Sequence, residues 1–146
     1  MIRLAEPHDR LRAVELLRAF CEAGRDVFPV TFDPAYAVRL FDGYSRVPDR
    51  LALVLDVAGA AQGILLAHAF EHDFDGSRCA QERLWWIDPD HRGPAAIKML
   101  DGYEAWARDH GCRFIGMAGL GASPDVGRLY ERRGYRAAET HYLKAL

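Results

Sequence analysis

The stretch Leu84-Trp85-Trp86-Ile87-Asp88-Pro89-Asp90-His91-Arg92-Gly93 carries the strongest fold signals in the sequence. It begins with four apolar residues that favour a β-strand, and Pro89 ends the strand because proline has no backbone N–H for a sheet ladder. Pro94 follows directly and is suited to the first turn of a helix. Apolar residues then recur at helical spacing: Ile97, Leu100, Tyr103 and Ala107. The stretch therefore predicts a strand, a tight loop and a helix that begins at Pro94 and stops at Gly111.

The first part of the chain predicts a short strand and two helices. The strand is expected at residues 2–4, and Pro7 opens a helical pattern that continues to Gly24. The residues of this helix expected to face the core are Leu11, Val14, Leu17 and Cys21. Residues 25–33 have an irregular pattern that can form the wall of a pocket, and Pro34 begins the second helix.

A hairpin is predicted in the middle of the chain. Residues 50–57 and 62–69 are rich in Leu, Val and Ile, and Ala58-Gly59-Ala60-Ala61 separates them as a short turn. Polar residues 71–81 predict a loop, after which residues 83–87 return to strand propensity. Three neighbouring strands of one sheet are therefore expected here.

The end of the chain predicts a strand at residues 113–118 and a short helix. The helix is expected to begin at the cap signature Ser123-Pro124-Asp125 and to end at Gly134. Residues 135–144 predict one or two closing strands. The full order indicates a single α/β domain over residues 1–146, with a mixed, mostly antiparallel sheet of six to seven strands and about four helices.

Composition excludes several classes of partner. The chain has 146 residues, half of them hydrophobic, and a formal net charge of -2, so no basic field attracts nucleic acid or an anionic membrane. Cys21, Cys79 and Cys112 lie far apart without a CxxC spacing, which favours a reduced, cytoplasmic protein. No segment has the length and apolar character of a signal peptide or a membrane span.

Two motifs resemble those of the GNAT N-acetyltransferases. The apolar strand followed by Asp88-Pro89-Asp90-His91-Arg92-Gly93 is similar to the family pattern of a strand and x-Pro-x-x-Arg-Gly, and Leu129-Tyr130-Glu131-Arg132-Arg133-Gly134-Tyr135 is similar to Leu-Tyr-x-x-x-Gly-aromatic. Element order matches over nearly the whole chain, but specific residues match only from Glu82 to Gly134. Glu82 and Glu104-Ala105-Trp106-Ala107 look like the small phage- and bacterial-type members.

The resemblance implies a GNAT fold and acetyl-CoA as co-substrate, with no metal. A helix N-terminus has unpaired N–H groups and a partial positive charge, so the turn before the helix at Pro94 suits the pyrophosphate. The residues implied in cofactor binding are Trp86, Ile87, Asp88, Arg92, Gly93, Pro94, Ala95, Ala96 and Lys98. The family loop has a small residue at two further positions, and here Ala95 and Ile97 occupy them. An ordinary helix start after a turn is the alternative reading.

The same resemblance implies two catalytic residues. Tyr130 matches the family tyrosine that supplies a proton to the leaving thiolate, and a phenol with a pKa near 10 is protonated at neutral pH. Glu82 is the expected base for the amine, acting directly or through water. The structural alternatives are a half-buried tyrosine with a satisfied hydroxyl and a solvated carboxylate at a strand end.

The reaction implied is transfer of an acetyl group to a primary amine by direct attack in a ternary complex. The rival function is a non-catalytic sensor or assembly module that binds acyl-CoA with the same fold. The acceptor is expected to be a small-molecule or peptide amine, held by loops at residues 25–33 and 71–81 whose acidic and aromatic residues favour a cation. Pairing through the C-terminal strands would give a homodimer.

Four residues in and beside the polar loop could together bind a metal ion. The candidate ligands are His68, His72, Asp73 and Asp75. They lack a recognised ligand spacing, so a solvated acidic loop is the favoured interpretation.

Overall fold

The computed structural model describes residues 1–120 and 125–146. It contains a five-stranded sheet in the order β1-β2-β3-β4-β5. The strands are β1 (Ile2–Leu4), β2 (Arg50–Val57), β3 (Ala60–Glu71), β4 (Arg78–Ile87) and β5 (Phe114–Gly116). The helices are α1 (Arg10–Ala23), α2 (Pro34–Arg46), α3 (Pro94–Asp109) and α4 (Gly127–Arg132). Neighbouring strands from β1 to β4 are antiparallel, whereas β4 and β5 are parallel.

The sheet separates two layers of core. Side chains of α1 and α2 pack on one face with Val54, Ile64 and Leu66, and side chains of α3 pack on the other face with Leu53 and Leu65. Alternate residues of the central strands enter opposite layers, as the two-residue period of a strand requires. Both faces of the sheet are therefore covered in its centre.

The buried face of α1 was predicted only in part. Its buried residues are Ala13, Val14, Leu16 and Leu17. Leu11, which the sequence placed in the core, is 79% exposed. At 100° per residue, Leu11 lies about 120° around the helix from Leu17, on the side away from the sheet. The helix ends near Gly24 as predicted, but it begins at Arg10 instead of Pro7, because Pro7–Asp9 form a separate 3-10 helix.

The hairpin between β2 and β3 is tighter than expected. Ala58 and Gly59 both have positive φ angles, 53° and 84°, as a two-residue turn requires. Gly59 N–H donates to the Asp56 carboxylate (2.8 Å). The other two residues of the four-residue turn, Ala60 and Ala61, belong to β3.

Strand β4 begins five residues earlier than predicted. Cys79 and Ala80 pair with Phe70 and Ala69 of β3 and are buried, so polar neighbours are drawn into the strand by the existing ladder. The predicted loop over residues 71–81 is correspondingly short.

The predicted closing strands are absent from the described residues. Residues 135–146 have no strand, and all residues from Arg136 onward are exposed. A strand requires a partner and an apolar face to bury, and this segment has neither in the structure. The sheet therefore has five strands rather than six or seven.

Helix α4 ends as predicted, since Gly134 has a φ of 88°. The predicted cap residues Ser123 and Pro124 lie outside the described residues. No helix in the described ranges is both long and apolar enough to cross a membrane.

Candidate active site

The site is built around the place where β4 and β5 separate. The two strands pair only at Cys79 with Phe114, Ala80 with Ile115 and Gln81 with Gly116. From Glu82 to its end, β4 continues with β3 on one side and without β5 on the other. A gap therefore opens beside the second half of β4.

Two side chains replace ladder hydrogen bonds at the start of this gap. The Gln81 side-chain amide donates to the Glu82 carbonyl oxygen (3.1 Å), and the backbone N–H of Ala118 donates to the Glu82 carboxylate (3.0 Å). Buried backbone groups need such partners when a ladder stops. Gly116 makes room for this arrangement, because a Cβ atom there would lie 2.1 Å from Gln81 Oε1.

Glu82 is buried rather than solvated. It is 6% exposed, and burial raises the pKa of its carboxyl group from 4.5 to about 7, against the opposing effects of the Ala118 N–H and the Arg83 charge. The alternative of a solvated strand-end carboxylate is therefore wrong. A carboxyl group with this pKa can accept and release a proton near neutral pH.

Tyr130 lies on α4 at the same gap. Its hydroxyl donates to the carbonyl oxygen of Ala118 (3.0 Å), and its ring stacks on Trp85 at 6.3 Å between centroids. Burial and the Glu82 charge raise the pKa of Tyr130, so the hydroxyl is protonated at neutral pH. Glu82 and Tyr130 thus bind the two backbone groups of one residue, Ala118.

Charged side chains attach α4 to α3. Arg133 donates to Glu104 (3.0 and 3.1 Å) and to Asp101 (2.6 Å), and the Tyr135 hydroxyl donates to Glu104 (3.2 Å). These bonds position the helix that carries Tyr130. In the sequence, Glu104 serves only for the family resemblance, and its contact with Arg133 is not predicted. The available signal is the three-residue spacing of Asp101 and Glu104, which places both carboxylates on one face of α3.

The turn before α3 has the expected backbone. Gly93 precedes the helix with φ of 94° and ψ of -124°, a conformation that side-chain-bearing residues rarely adopt, and Pro94 is the first helical residue. Ala95 and Ala96 pack on the core on the α3 face. Ile97, at the second departure from the family loop, is 45% exposed, and Lys98 is exposed as well.

Arg92 lies back over the end of β4. Its Nε donates to the carbonyl oxygen of Ile87 (2.9 Å), and its guanidinium carbon lies 4.7 Å from the centre of the Trp86 ring. Trp86 also stacks on Phe20 of α1 at 5.9 Å. Trp85 and Trp86 lie in opposite core layers, as neighbouring residues of a strand do.

Asp88 connects the same loop to α1. Its carboxylate accepts hydrogen bonds from the Trp86 indole N–H (3.1 Å) and from Arg12. Arg12 also donates to the Ala61 carbonyl (3.0 Å) and to the Gln62 side chain (3.0 Å). Asp88 therefore has a structural role in holding the loop, and Arg12 is a contributor that the sequence motifs do not include.

The metal-site candidates do not cluster. Among residues 1–120 and 125–146, no group of three or more His, Cys, Asp or Glu side chains could hold a metal ion. Asp75 instead accepts hydrogen bonds from Ser77 and pairs with Arg113 at 3.7 Å.

A mixed sheet that opens beside a glycine-initiated helix, with a carboxyl group and a phenol at the opening, forms an α/β domain with a candidate acid–base site. The sequence matches the acetyltransferase (GNAT) family over residues 14–135. The chain belongs to this family and is an acetyltransferase. A comparison of the sequence with curated proteins finds no match.

Solved structures show the same fold. Ribosomal-protein-alanine N-acetyltransferase from Brucella melitensis biovar Abortus 2308 is 20% identical, with a TM-score of 0.77 and coverage of 100% of this chain and 99% of the other. AAC(6')-Iy in complex with the bisubstrate analogue CoA-S-monomethyl-acetylneamine is 15% identical, with a TM-score of 0.79 and coverage of 100% and 97%. Glucosamine-6-phosphate N-acetyltransferase from Arabidopsis thaliana is 17% identical, with a TM-score of 0.77 and coverage of 99% and 97%.

Proposed function

We propose that this acetyltransferase moves an acetyl group from acetyl-CoA directly to a primary amine within a ternary complex. The observation that carries the proposal is the convergence of Glu82 and Tyr130 on Ala118, at the point where β4 and β5 separate. A base and an acid that share one anchoring residue are close enough to serve one reaction centre.

The gap beside β4 suits an extended thioester arm. The Asp88 N–H donates to the Gln62 carbonyl of β3 (2.9 Å), so strand alternation turns the N–H and carbonyl of Ile87 toward the gap, where an arm can pair with them as an added strand. The same hydrogen bonds would orient the acetyl carbonyl toward the gap. The carbonyl of Ile87 already accepts from Arg92, so Arg92 must release it or share it when the arm binds.

The turn from Arg92 to Ala96 is the proposed pyrophosphate site. It presents the N-terminal end of α3 and a glycine backbone without side-chain bulk, and Lys98 is exposed one turn further on. Arg92 and Lys98 supply positive charge. Binding here fixes the cofactor equally in the ground state and the transition state.

The chemistry assigned to the two side chains is proton transfer. Glu82 takes a proton from the amine, directly or through water, and the neutral nitrogen attacks the thioester carbonyl. The carbon–sulfur bond then breaks, and Tyr130 gives its proton to the leaving thiolate. The second proton, which the nitrogen loses as the amide forms, returns to the Tyr130 oxygen. Because the Tyr130 hydroxyl donates to Ala118 in the structure, it must rotate away from that carbonyl to reach the sulfur.

The acceptor is proposed to be a small-molecule or peptide amine in the cytoplasm, without a metal in the reaction. Three of the similar structures bear names that refer to a protein alanine, an acetylneamine analogue and an amino sugar phosphate. Each of these has an amine in a different setting. The fold therefore supports the amine class without selecting a member of it.

Two measurements test the proposal. Calorimetric titration should show binding of acetyl-CoA and much weaker binding of ATP or NAD, with a rise in melting temperature through mass action. Release of free thiol should then depend on an added amine. Binding without thiol release across a broad amine screen would favour the rival function, an acyl-CoA sensor without turnover.

A further inference from the structure

A buried tyrosine hydroxyl lies where β4 and β5 pair for the last time. Tyr103 of α3 is 0% exposed, and its hydroxyl donates to the carbonyl oxygen of Gly116 (3.0 Å). Gly116 is the last residue of β5 that pairs with β4, where it lies opposite Gln81. On the facing strand, the backbone N–H of Glu82 also interacts with the Tyr103 oxygen. One hydroxyl therefore contacts both strands at the point beyond which they separate.

Tyr103 connects this point to the helix that begins at the proposed pyrophosphate site. The helix α3 starts at Pro94, so Tyr103 lies roughly 14 Å along its axis from that end. The Tyr103 ring stacks with Trp106 at 6.4 Å between centroids, and it packs in the core layer that contains Leu65 and Met99. The ring is therefore fixed by the core, and the hydroxyl in turn holds the two strands in a set position relative to α3.

Packing alone does not require the hydroxyl. A phenylalanine would occupy nearly the same volume, and a buried hydroxyl loses hydration that only a hydrogen bond can replace. Burial, together with the Glu82 charge, raises the pKa of Tyr103, so its proton remains available to the Gly116 carbonyl. The presence of tyrosine at this position is thus better explained by its contact with the strands than by the filling of the core.

The end of β5 leads directly to the two proposed proton-transfer residues. Two residues beyond Gly116, the Ala118 N–H donates to the Glu82 carboxylate (3.0 Å), and the Ala118 carbonyl accepts from Tyr130 (3.0 Å). Ala118 itself lies beyond the residues that pair with β4, so its position depends on what holds Gly116. A displacement of Gly116 would therefore change both contacts of Ala118.

We propose that Tyr103 is a positioning residue for acetyl transfer: its hydroxyl holds β4 and β5 where their pairing ends, and so fixes the Glu82 carboxyl group at the gap. The inference rests on the proposed function and adds a residue that neither family motif contains. Tyr103 is buried behind the strands and acts through Gly116 and Glu82, not through contact with a substrate.

The contact is tested first in the unsubstituted protein. The titratable or charged groups that act on Glu82 are Arg83 beside it in β4, Tyr103 from α3 and Tyr130 from α4. The ring Cζ carbon resonance of Tyr103, assigned from its backbone signals, should follow the protonation of Glu82 with a midpoint of about 7. Glu82→Gln should abolish this response. A Tyr103 resonance that stays constant from about pH 5 to about pH 9 would overturn the inference.

Tyr103→Phe then tests the positioning role, since it removes the hydroxyl and keeps the ring. In the thiol-release assay with acetyl-CoA and amines, kcat should fall about 10-fold or more, because small displacements of reacting groups are costly. The KM for acetyl-CoA should change little. The Ala118 N–H lowers the pKa of Glu82, so weakening that bond should raise the pKa and move the acidic limb of the pH profile to higher pH. A role limited to core packing would not move this limb.

Tyr44→Phe is the matched control, since it removes the hydroxyl of a buried tyrosine in the opposite core layer. It should leave kcat and the acidic limb unchanged. Wild-type kcat and an unmoved limb in folded Tyr103→Phe would overturn the inference while thiol release still supports the transferase. A Tyr103 resonance that follows Glu82, with no thiol release from any amine, would do the reverse. If Tyr103→Phe does not fold, the resonance of the unsubstituted protein decides.

Discussion

The two halves of β4 differ in how their backbone is satisfied. Residues 79–81 pair with β3 on one side and β5 on the other, and Cys79 and Ala80 are fully covered. Beyond Glu82 the strand pairs with β3 alone. The first half therefore stabilises the sheet, and the second half has backbone groups available to a ligand.

The junction between these halves contains the least ordinary chemistry. A buried carboxyl group replaces a ladder bond there, and a glutamine side chain replaces another. A carboxylate is a costly way to complete a strand, because its charge loses hydration. Such a cost at a sheet opening is more readily explained by reaction chemistry than by stability.

The largest effect is expected from Tyr130→Phe, which removes the hydroxyl and keeps the ring on Trp85. Turnover should fall roughly 100-fold or more if the hydroxyl supplies the proton to the thiolate. Stability should change by only about 1 kcal/mol, the value of its bond to Ala118. Steady-state kinetics and thermal unfolding measure the two quantities.

Tyr135→Phe is the control for that change, because its hydroxyl binds Glu104 instead of Ala118. It should retain most of the turnover. Wild-type turnover in Tyr130→Phe with a good acceptor would show that water protonates the thiolate.

A second effect concerns Glu82 and pH. The pKa of its carboxyl group is 4.5 in an ordinary environment and about 7 in the folded protein. Below pH 4.5 both states hold the proton. As the pH rises to 7, the unfolded chain releases it while the folded chain keeps it, so stability falls, and above pH 7 the loss is complete. One pKa unit corresponds to about 1.4 kcal/mol, which gives a loss of about 3 kcal/mol.

Glu82→Gln should therefore gain stability relative to wild type between pH 5 and pH 8, by up to about 3 kcal/mol. The glutamine side-chain oxygen can still accept the hydrogen bond from the Ala118 N–H. The gain in stability therefore measures the cost of burying the carboxylate charge. Chemical denaturation at several pH values measures it, and Glu22→Gln, at an exposed carboxylate of α1, is the control. Parallel pH curves for wild type and Glu82→Gln would contradict the buried-acid assignment.

Most of the fold was available from local sequence signals. Pro94 and Gly111 placed α3, and the Leu- and Val-rich segments placed the central hairpin, because proline, glycine and strand periodicity act over a few residues. The strands predicted at residues 135–144 were wrong. Their pattern resembled a strand, but a strand also depends on a distant edge that can receive it.

The sequence predicted which residues belong to the site, but it did not predict which residues they contact. Resemblance to a family indicated Glu82 and Tyr130, yet neither motif contains Ala118, which binds both. The Arg12–Asp88 pair and the Arg133–Glu104 pair join residues far apart in sequence. Such pairs follow from the packing of helices on the sheet, which no local pattern encodes.

A smaller effect is expected from Arg92→Ala, at the far end of the open half of β4. The Michaelis constant for acetyl-CoA should rise about 10-fold with kcat little changed, since a pyrophosphate contact is uniform along the reaction. Arg136→Ala, an exposed arginine in the C-terminal segment, is the control. Unchanged cofactor affinity would show that Arg92 serves only to hold Ile87 and Trp86.

The smallest effect tests the junction itself through Gly116→Ala. The new Cβ would lie 2.1 Å from Gln81 Oε1 and 2.9 Å from its Cδ, so the glutamine side chain must move and release the Glu82 carbonyl. Because that side chain is flexible, the cost should be near the value of one hydrogen bond, about 1 kcal/mol in the free energy of unfolding. Gln81→Ala removes the same bond without a clash, and the double variant should be no less stable than Gly116→Ala alone, since the two changes share one cause. If the losses in stability of the two single variants add up in the double variant, the two changes act independently. Gly116 is then needed for the close approach of its backbone to β4 and not to make room for the Gln81 side chain, so the hydrogen bond of Gln81 does not explain why the strands separate.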